Sequence, residues 1–154
     1  MQKFDYYVFV DYSENLIGYA VLNGNNLENL LSKTTKLKHY RDVKHRKEYL
    51  KAIKKVIENN DVKSIFLKIK IREKRLNEDI FLDIVEFLKI NEKCKIFISV
   101  DNKQHPAFVR LVNILNRENV KVVKESELKK NSPEYRASLI IDNLLNIERI
   151  KNIG

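Results

Sequence analysis

The chain has 154 residues, with 30 lysines and arginines against 21 acids and a formal net charge of +9. That is the size of one domain, residues 1–154, and such a chain buries roughly 68–70% of its unfolded surface without a covalent staple. With 44% hydrophobic and 33% charged residues it is too apolar for disorder and too charged for a membrane protein, while one cysteine and three glycines exclude a disulfide scaffold, a Cys-based zinc cluster and a Gly-rich phosphate loop.

The elements follow in chain order. Phe4 to Val10 is an aromatic and β-branched run that predicts a strand. Asp11 to Asn15 is turn-like, and Leu16 to Leu22 predicts a second strand closed by Asn23-Gly24, so the two form a hairpin. Lys33 to Tyr40 reads as a third, edge strand, its lysines protecting a sheet edge. Val43 to Asn59 is a helix on the spacing of Tyr49, Leu50, Ile53, Val56 and Ile57.

Lys63 to Ile71 alternates, which predicts a half-buried strand with Ile65, Leu67, Ile69 and Ile71 on one face and Lys68 and Lys70 on the other. Asn77 to Ile90 is an amphipathic helix. Lys95 to Val100 is apolar on both faces, as a central strand must be. A helix from Pro106 to about Asn116, a short strand Val120–Val123, and a last helix follow. Ser132 caps that last helix, Pro133 takes its first position, and it ends near Ile150. A hairpin followed by alternating helices and strands gives an α/β fold with a mixed sheet flanked by helices.

Three aspartates sit where an acid needs a reason. Asp11 follows the first strand, Asp101 follows the central strand, and Asp142 interrupts the apolar run Leu139–Leu145. A carboxylate near a core is costly unless it is paired or holds a metal. If the two strands are parallel neighbours, Asp11 and Asp101 share one end of the sheet, and the last helix brings Asp142 to them. Converging carboxylates are hard oxygen ligands suited to Mg²⁺ or Mn²⁺, which activate water in phosphodiester hydrolysis. The plain alternatives are a turn for Asp11, a cap for Asp101, and solvent, Ser138, Arg149 or a lysine for Asp142.

The basic excess gathers between Lys33 and Lys47, where Arg41, Lys44, Arg46 and Lys47 would hold a phosphate backbone. Tyr12 and Tyr40 are candidates to stack on bases, or to pack with one end wet. His39, His45 and His105 lack zinc-type spacing and suit surface or cap roles, and Cys94 suits a small buried residue. The chain has no membrane-length apolar run and no leader-like run after Met1, so it is expected in the cytoplasm, with no membrane partner.

Val8-Phe-Val-Asp-Tyr-Ser-Glu14, Ile98-Ser-Val-Asp-Asn102 and Ala137-Ser-Leu-Ile-Ile-Asp-Asn-Leu-Leu145 together resemble the ribonuclease H-like superfamily. More narrowly they resemble an uncharacterised branch whose first strand ends in Asp-Glu-Ser-Gly and whose last helix reads like Leu-Gln-Leu-Ala-Asp-Leu-Ile-Ala. The resemblance covers most of the chain through short motifs. It implies a ribonuclease H-like fold and a divalent-metal nuclease, or a relative that has lost activity and binds nucleic acid or a protein partner, a second copy included. It also implies Asp11, Asp101 and Asp142 as catalytic and metal-binding residues. The chain departs from the branch at Tyr12, where the branch has Glu, and at Glu14, where it has Gly. Glu14 is then a fourth candidate metal ligand, and Glu73 rivals Asp101 as the second acid. A Rossmann-like nucleotide enzyme is the weakest alternative, for want of a Gly-rich turn after a strand.

Overall fold

A computed structural model describes residues 4–13, 15–26, 37–59, 65–90, 93–98, 110, 120–124, 128–129 and 132–153. The elements are β1 (Tyr6–Ser13), β2 (Leu16–Asn23), α1 (Arg46–Asn59), β3 (Phe66–Glu73), α2 (Asn77–Ile90), β4 (Cys94–Ile98), β5 (Val120–Lys124) and α3 (Pro133–Ile153). The strands form one sheet in the order β3-β2-β1-β4-β5. β2 is antiparallel to both β1 and β3, whereas β1, β4 and β5 pair in parallel. The five-stranded sheet is therefore mixed, with the hairpin's second strand reversed. β4 is central, as its apolar sequence requires.

Alternation along each strand divides the core between two faces. Phe9, Leu16, Ala20, Leu22 and Phe97 pack with α1 and α3 on one face. Val8, Val10, Ile17, Tyr19, Val21, Ile96 and Ile98 pack with Ile80, Ile84 and Leu88 of α2 on the other. Helix α3 is buried from Ala137 through Asn146 because it lies between the sheet and α1. Its cap is the expected one, with the Tyr135 N–H donating to Ser132 Oγ at 3.1 Å.

Four expectations are corrected. β1 runs through Asp11 to Ser13, so Asp11 lies inside the strand, paired across from Gly18. Helix α1 starts at Arg46, after a 3₁₀ turn at Tyr40–Asp42. The described part of the expected edge strand, residues 37–40, is not a strand, and β3 takes the sheet edge instead. In β3 a register shift opposite Val21/Leu22 takes Leu67 out of the alternation, whereas Ile65, Ile69 and Ile71 keep the expected face. Phe66 is therefore buried and Leu67 is 57% exposed. A bulge of this kind spoils an edge as a template for pairing with another chain.

Candidate nucleic-acid site at the end of the first strand

Tyr7, Phe9, Asp11 and Ser13 share the face of β1 that looks onto α3, by the alternation that puts Phe9 in that core. Helix α3 runs in the same direction as β1. Near its start Glu134 meets Lys95, the β4 partner of Tyr7, at 3.7 Å. Near its end Asn146 Oδ1 accepts a hydrogen bond from Ser13 Oγ at 2.8 Å. From Glu134 to Asn146 a helix rises about 18 Å, and from Tyr7 to Ser13 a strand rises about 20 Å. The two rises match, so Asp142, one turn before Asn146, lies level with Asp11. Both carboxylates are buried, at 5% and 4% exposure.

Gly18 makes the close approach possible. A Cβ there would sit 2.8 Å from Leu145 Cδ2 and 3.2 Å from Ile141 Cδ1, the residues that bracket Asp142 on the helix. Its cross-strand partner is Asp11. A glycine inside an apolar strand is the sequence signal for such an approach, and it went unused in the reading above.

Residues 37–42 form a strap against α3. The Tyr40 N–H donates to Asp142 Oδ2 at 2.9 Å, and His39 Nε2 lies 3.7 Å from Asp142 Oδ1. Arg136 donates to the Leu37 carbonyl, and Asn143 Nδ2 to the Lys38 carbonyl. The Tyr49 hydroxyl of α1 accepts from the Lys38 N–H and donates to its carbonyl. Burial pushes the Tyr49 phenol above its ordinary range. The partners of Asp142 thus include the strap, through Tyr40 and His39. His39, expected at the surface, is half-buried beside it.

The other candidates divide. Asp101, Glu14 and His105 lie outside the described residues, as does the Pro106–Asn116 helix apart from residue 110. Glu73 is exposed at the sheet edge and pairs with Arg75, so it does not join Asp11. Lys44, His45, Arg46 and Lys47 are exposed around the start of α1; of Arg41 only the backbone is described. The Tyr40 ring, a candidate to stack on a base or to pack with one end wet, carries Arg46 Cζ at 4.9 Å from its centroid and Arg149 Cζ at 5.7 Å. Lys74 lies over the Tyr12 ring. Cys94 is buried as expected, its thiol pushed up to about 11 chiefly by burial. Among the described residues no three acids, histidines or cysteines form a ready metal site. Among them, too, no helix is long and apolar enough to cross a membrane.

The fold class is α/β, a mixed sheet that opens on a hairpin and is flanked by helices. No protein-family model matches the chain, and no curated protein matches it by sequence. Among solved structures it is similar to the ribonuclease HII of Archaeoglobus fulgidus in its complex with PCNA, at 14% identity over 97% of this chain and 74% of that one, with a TM-score of 0.44. The fold statement rests on the strand order and directions above.

Proposed function

We propose that this protein is a divalent-metal-dependent nuclease of ribonuclease H-like fold, acting on the phosphodiesters of nucleic acid. The observation that carries the reading is the levelling of two buried carboxylates, Asp11 on β1 and Asp142 on α3, beneath a basic strap. Their donor set fits a hard cation. Carboxylate oxygens are hard ligands of the kind that Mg²⁺ and Mn²⁺ take. Asp11 and Asp142 would hold Mg²⁺ or Mn²⁺, with Asp101 and Glu14 as the further ligands proposed from sequence. When bound, such an ion lowers the pKa of a water and stabilises a leaving oxygen.

The protein's own contribution is alignment. Ser13 and Asn146 fix the helix to the strand, Gly18 sets their separation, and the strap keeps Asp142 in one rotamer. Lys44, His45, Arg46 and Lys47 crowd the positive end of the α1 dipole, where cations are unfavourable by about 0.3–1 kcal/mol each at low salt. A phosphate backbone relieves that strain of like charge. A second reading, a non-catalytic nucleic-acid-binding module, is favoured by the strap's hold on Asp142.

Labelled DNA and RNA oligonucleotides incubated with Mg²⁺ or Mn²⁺ test the proposal. Cleavage is expected, and Asp11→Asn and Asp142→Asn should each lower it by about 100-fold or more. Asn at 142 keeps an acceptor for the Tyr40 N–H, so the helix packing survives. Cleavage untouched by Asp11→Asn removes the site; salt-sensitive binding without cleavage selects the second reading.

A further inference from the structure

The start of α1 and the end of α3 place two arginines on one tyrosine ring of the strap. Arg46 opens α1 and is exposed; Arg149 is half-buried on the last turns of α3. Both guanidinium carbons lie within 6 Å of the Tyr40 centroid, inside the range of a cation–π contact. Two like charges around one ring repel each other, and the ring offsets that only in part.

Each arginine is also tied to the carboxylate site. Arg149 Nη2 donates at 3.2 Å to Asn146 Oδ1, the atom that also takes the Ser13 hydroxyl at the end of β1. Tyr40, which carries both arginines, donates its N–H to Asp142. A phosphate held by these arginines is therefore registered, through Tyr40 and Asn146, on the elements that carry Asp11 and Asp142. Guanidinium forks match phosphate oxygens in pairs, and a tyrosine that holds them flat lowers the entropy lost on binding.

We infer that Arg46 and Arg149, aligned by the Tyr40 ring, form a phosphate clamp that positions a nucleic-acid backbone against the Asp11–Asp142 end of the sheet. The clamp deepens the proposed function and rests on it only for what happens after binding. Tyr40 and Asn146 are positioning residues, acting through the arginines.

Fluorescence anisotropy of a mixed-sequence 20-nucleotide single strand, as DNA and as RNA, tests the clamp across a salt series without added metal. Each phosphate contact on a single strand contributes about −0.7 to the slope of log K against log salt. Arg46→Gln and Arg149→Gln should each make the wild-type slope shallower by about 0.7, and the double variant by about 1.4. Lys89→Gln, on α2 across the sheet, should leave it unchanged. Arg46 is exposed, so its variant decides even if Arg149→Gln unfolds; Arg149→Lys, which keeps the charge, should restore the slope while losing the paired fork.

Unchanged slopes, no binding by either strand, or an equal loss in Lys89→Gln overturns the clamp. A lost slope in a protein that never cleaves keeps the clamp and overturns the nuclease. Cleavage with KM unmoved in Arg46→Gln and Arg149→Gln does the reverse.

Discussion

Asp83 and Asp142 show how differently two aspartates are stabilised in one small fold. Asp83, on α2, gathers three donors on one oxygen: Lys70 Nζ at 2.8 Å, Lys68 Nζ at 3.2 Å and the Tyr19 hydroxyl at 2.9 Å. The Lys70 hydrogen bond, with help from Tyr19 and Lys68, holds its carboxyl down to about 2. Burial pushes the Tyr19 phenol up, and the bond to Tyr19 raises Lys68. The folded protein thus binds fewer protons than the unfolded chain as pH passes from the ordinary carboxylate value of 3.8 down to about 2. The stability from Asp83 is complete above that ordinary value and is lost as pH falls through about 2. Asp83 is a quarter exposed, so solvent screens part of it; Asp83→Asn should cost about 1–2 kcal/mol at pH 7. Urea unfolding of both proteins at pH 7, 4 and 2 checks this: the gap should narrow at 4 and close by 2, and a gap that persists at pH 2 assigns the loss to packing. In the sequence Lys68 and Lys70 read as a solvent face. Nothing local announced Asp83, because the contact depends on α2 folding back over the strand that precedes it.

Among the elements, the β1–β2 hairpin was legible and α3's seat on it was not. Val8 to Val10 and Leu16 to Leu22 carry enough β-branched and aromatic side chains to specify two paired strands without help from elsewhere. Asp11 broke the reading of β1, since aspartate is depleted in strands; the register with Gly18 carries the strand past it. Leu67 was misplaced because it is the extra residue of the ladder, skipped between Phe66 and Lys68, and composition does not mark the bulge. Asp142 stood out in the sequence, but its partners lie 102 residues away at Tyr40, and only the tertiary fold supplies them. Gly18 gives the sharpest test at this scale. Gly18→Ala puts a methyl 2.8 Å from Leu145 Cδ2, so the helix or the leucine must shift by several tenths of an ångström. Overpacking of this kind costs about 1–3 kcal/mol. If Gly18 sets the separation of Asp11 and Asp142, cleavage by folded Gly18→Ala should fall further than its loss of stability accounts for. Leu145→Ala in the same background makes room for the methyl and should recover activity. A Gly18→Ala protein with normal Tm would show that α3 has slack at this point.

Across the whole molecule the stabilising and destabilising charges are segregated. The α2 face neutralises Asp83 with lysines, whereas the α3 face buries Asp11 and Asp142 and has exposed lysines and an arginine at the start of α1. Buried carboxylates lose hydration, which opposes folding. A fold that keeps such a pair gives up stability at the site, and the basic strap returns only part of it through Tyr40 and His39. Asp11→Asn should therefore stabilise the metal-free protein by about 1 kcal/mol, raising Tm by roughly 3 °C for a chain of this size, while abolishing metal-dependent cleavage. Asp142→Ala should do the opposite to stability, losing about 1–2 kcal/mol because the buried Tyr40 N–H is left without its acceptor. Thermal unfolding in EDTA compares the two variants with wild type. A fall in Tm for Asp11→Asn equal to that for Asp142→Ala would mark Asp11 as a structural acid, held for its hydrogen bonds. Opposite shifts would mark it as an acid the fold retains at a cost. Added Mn²⁺ then separates the readings once more: it should raise the Tm of wild type and leave that of Asp11→Asn where it was.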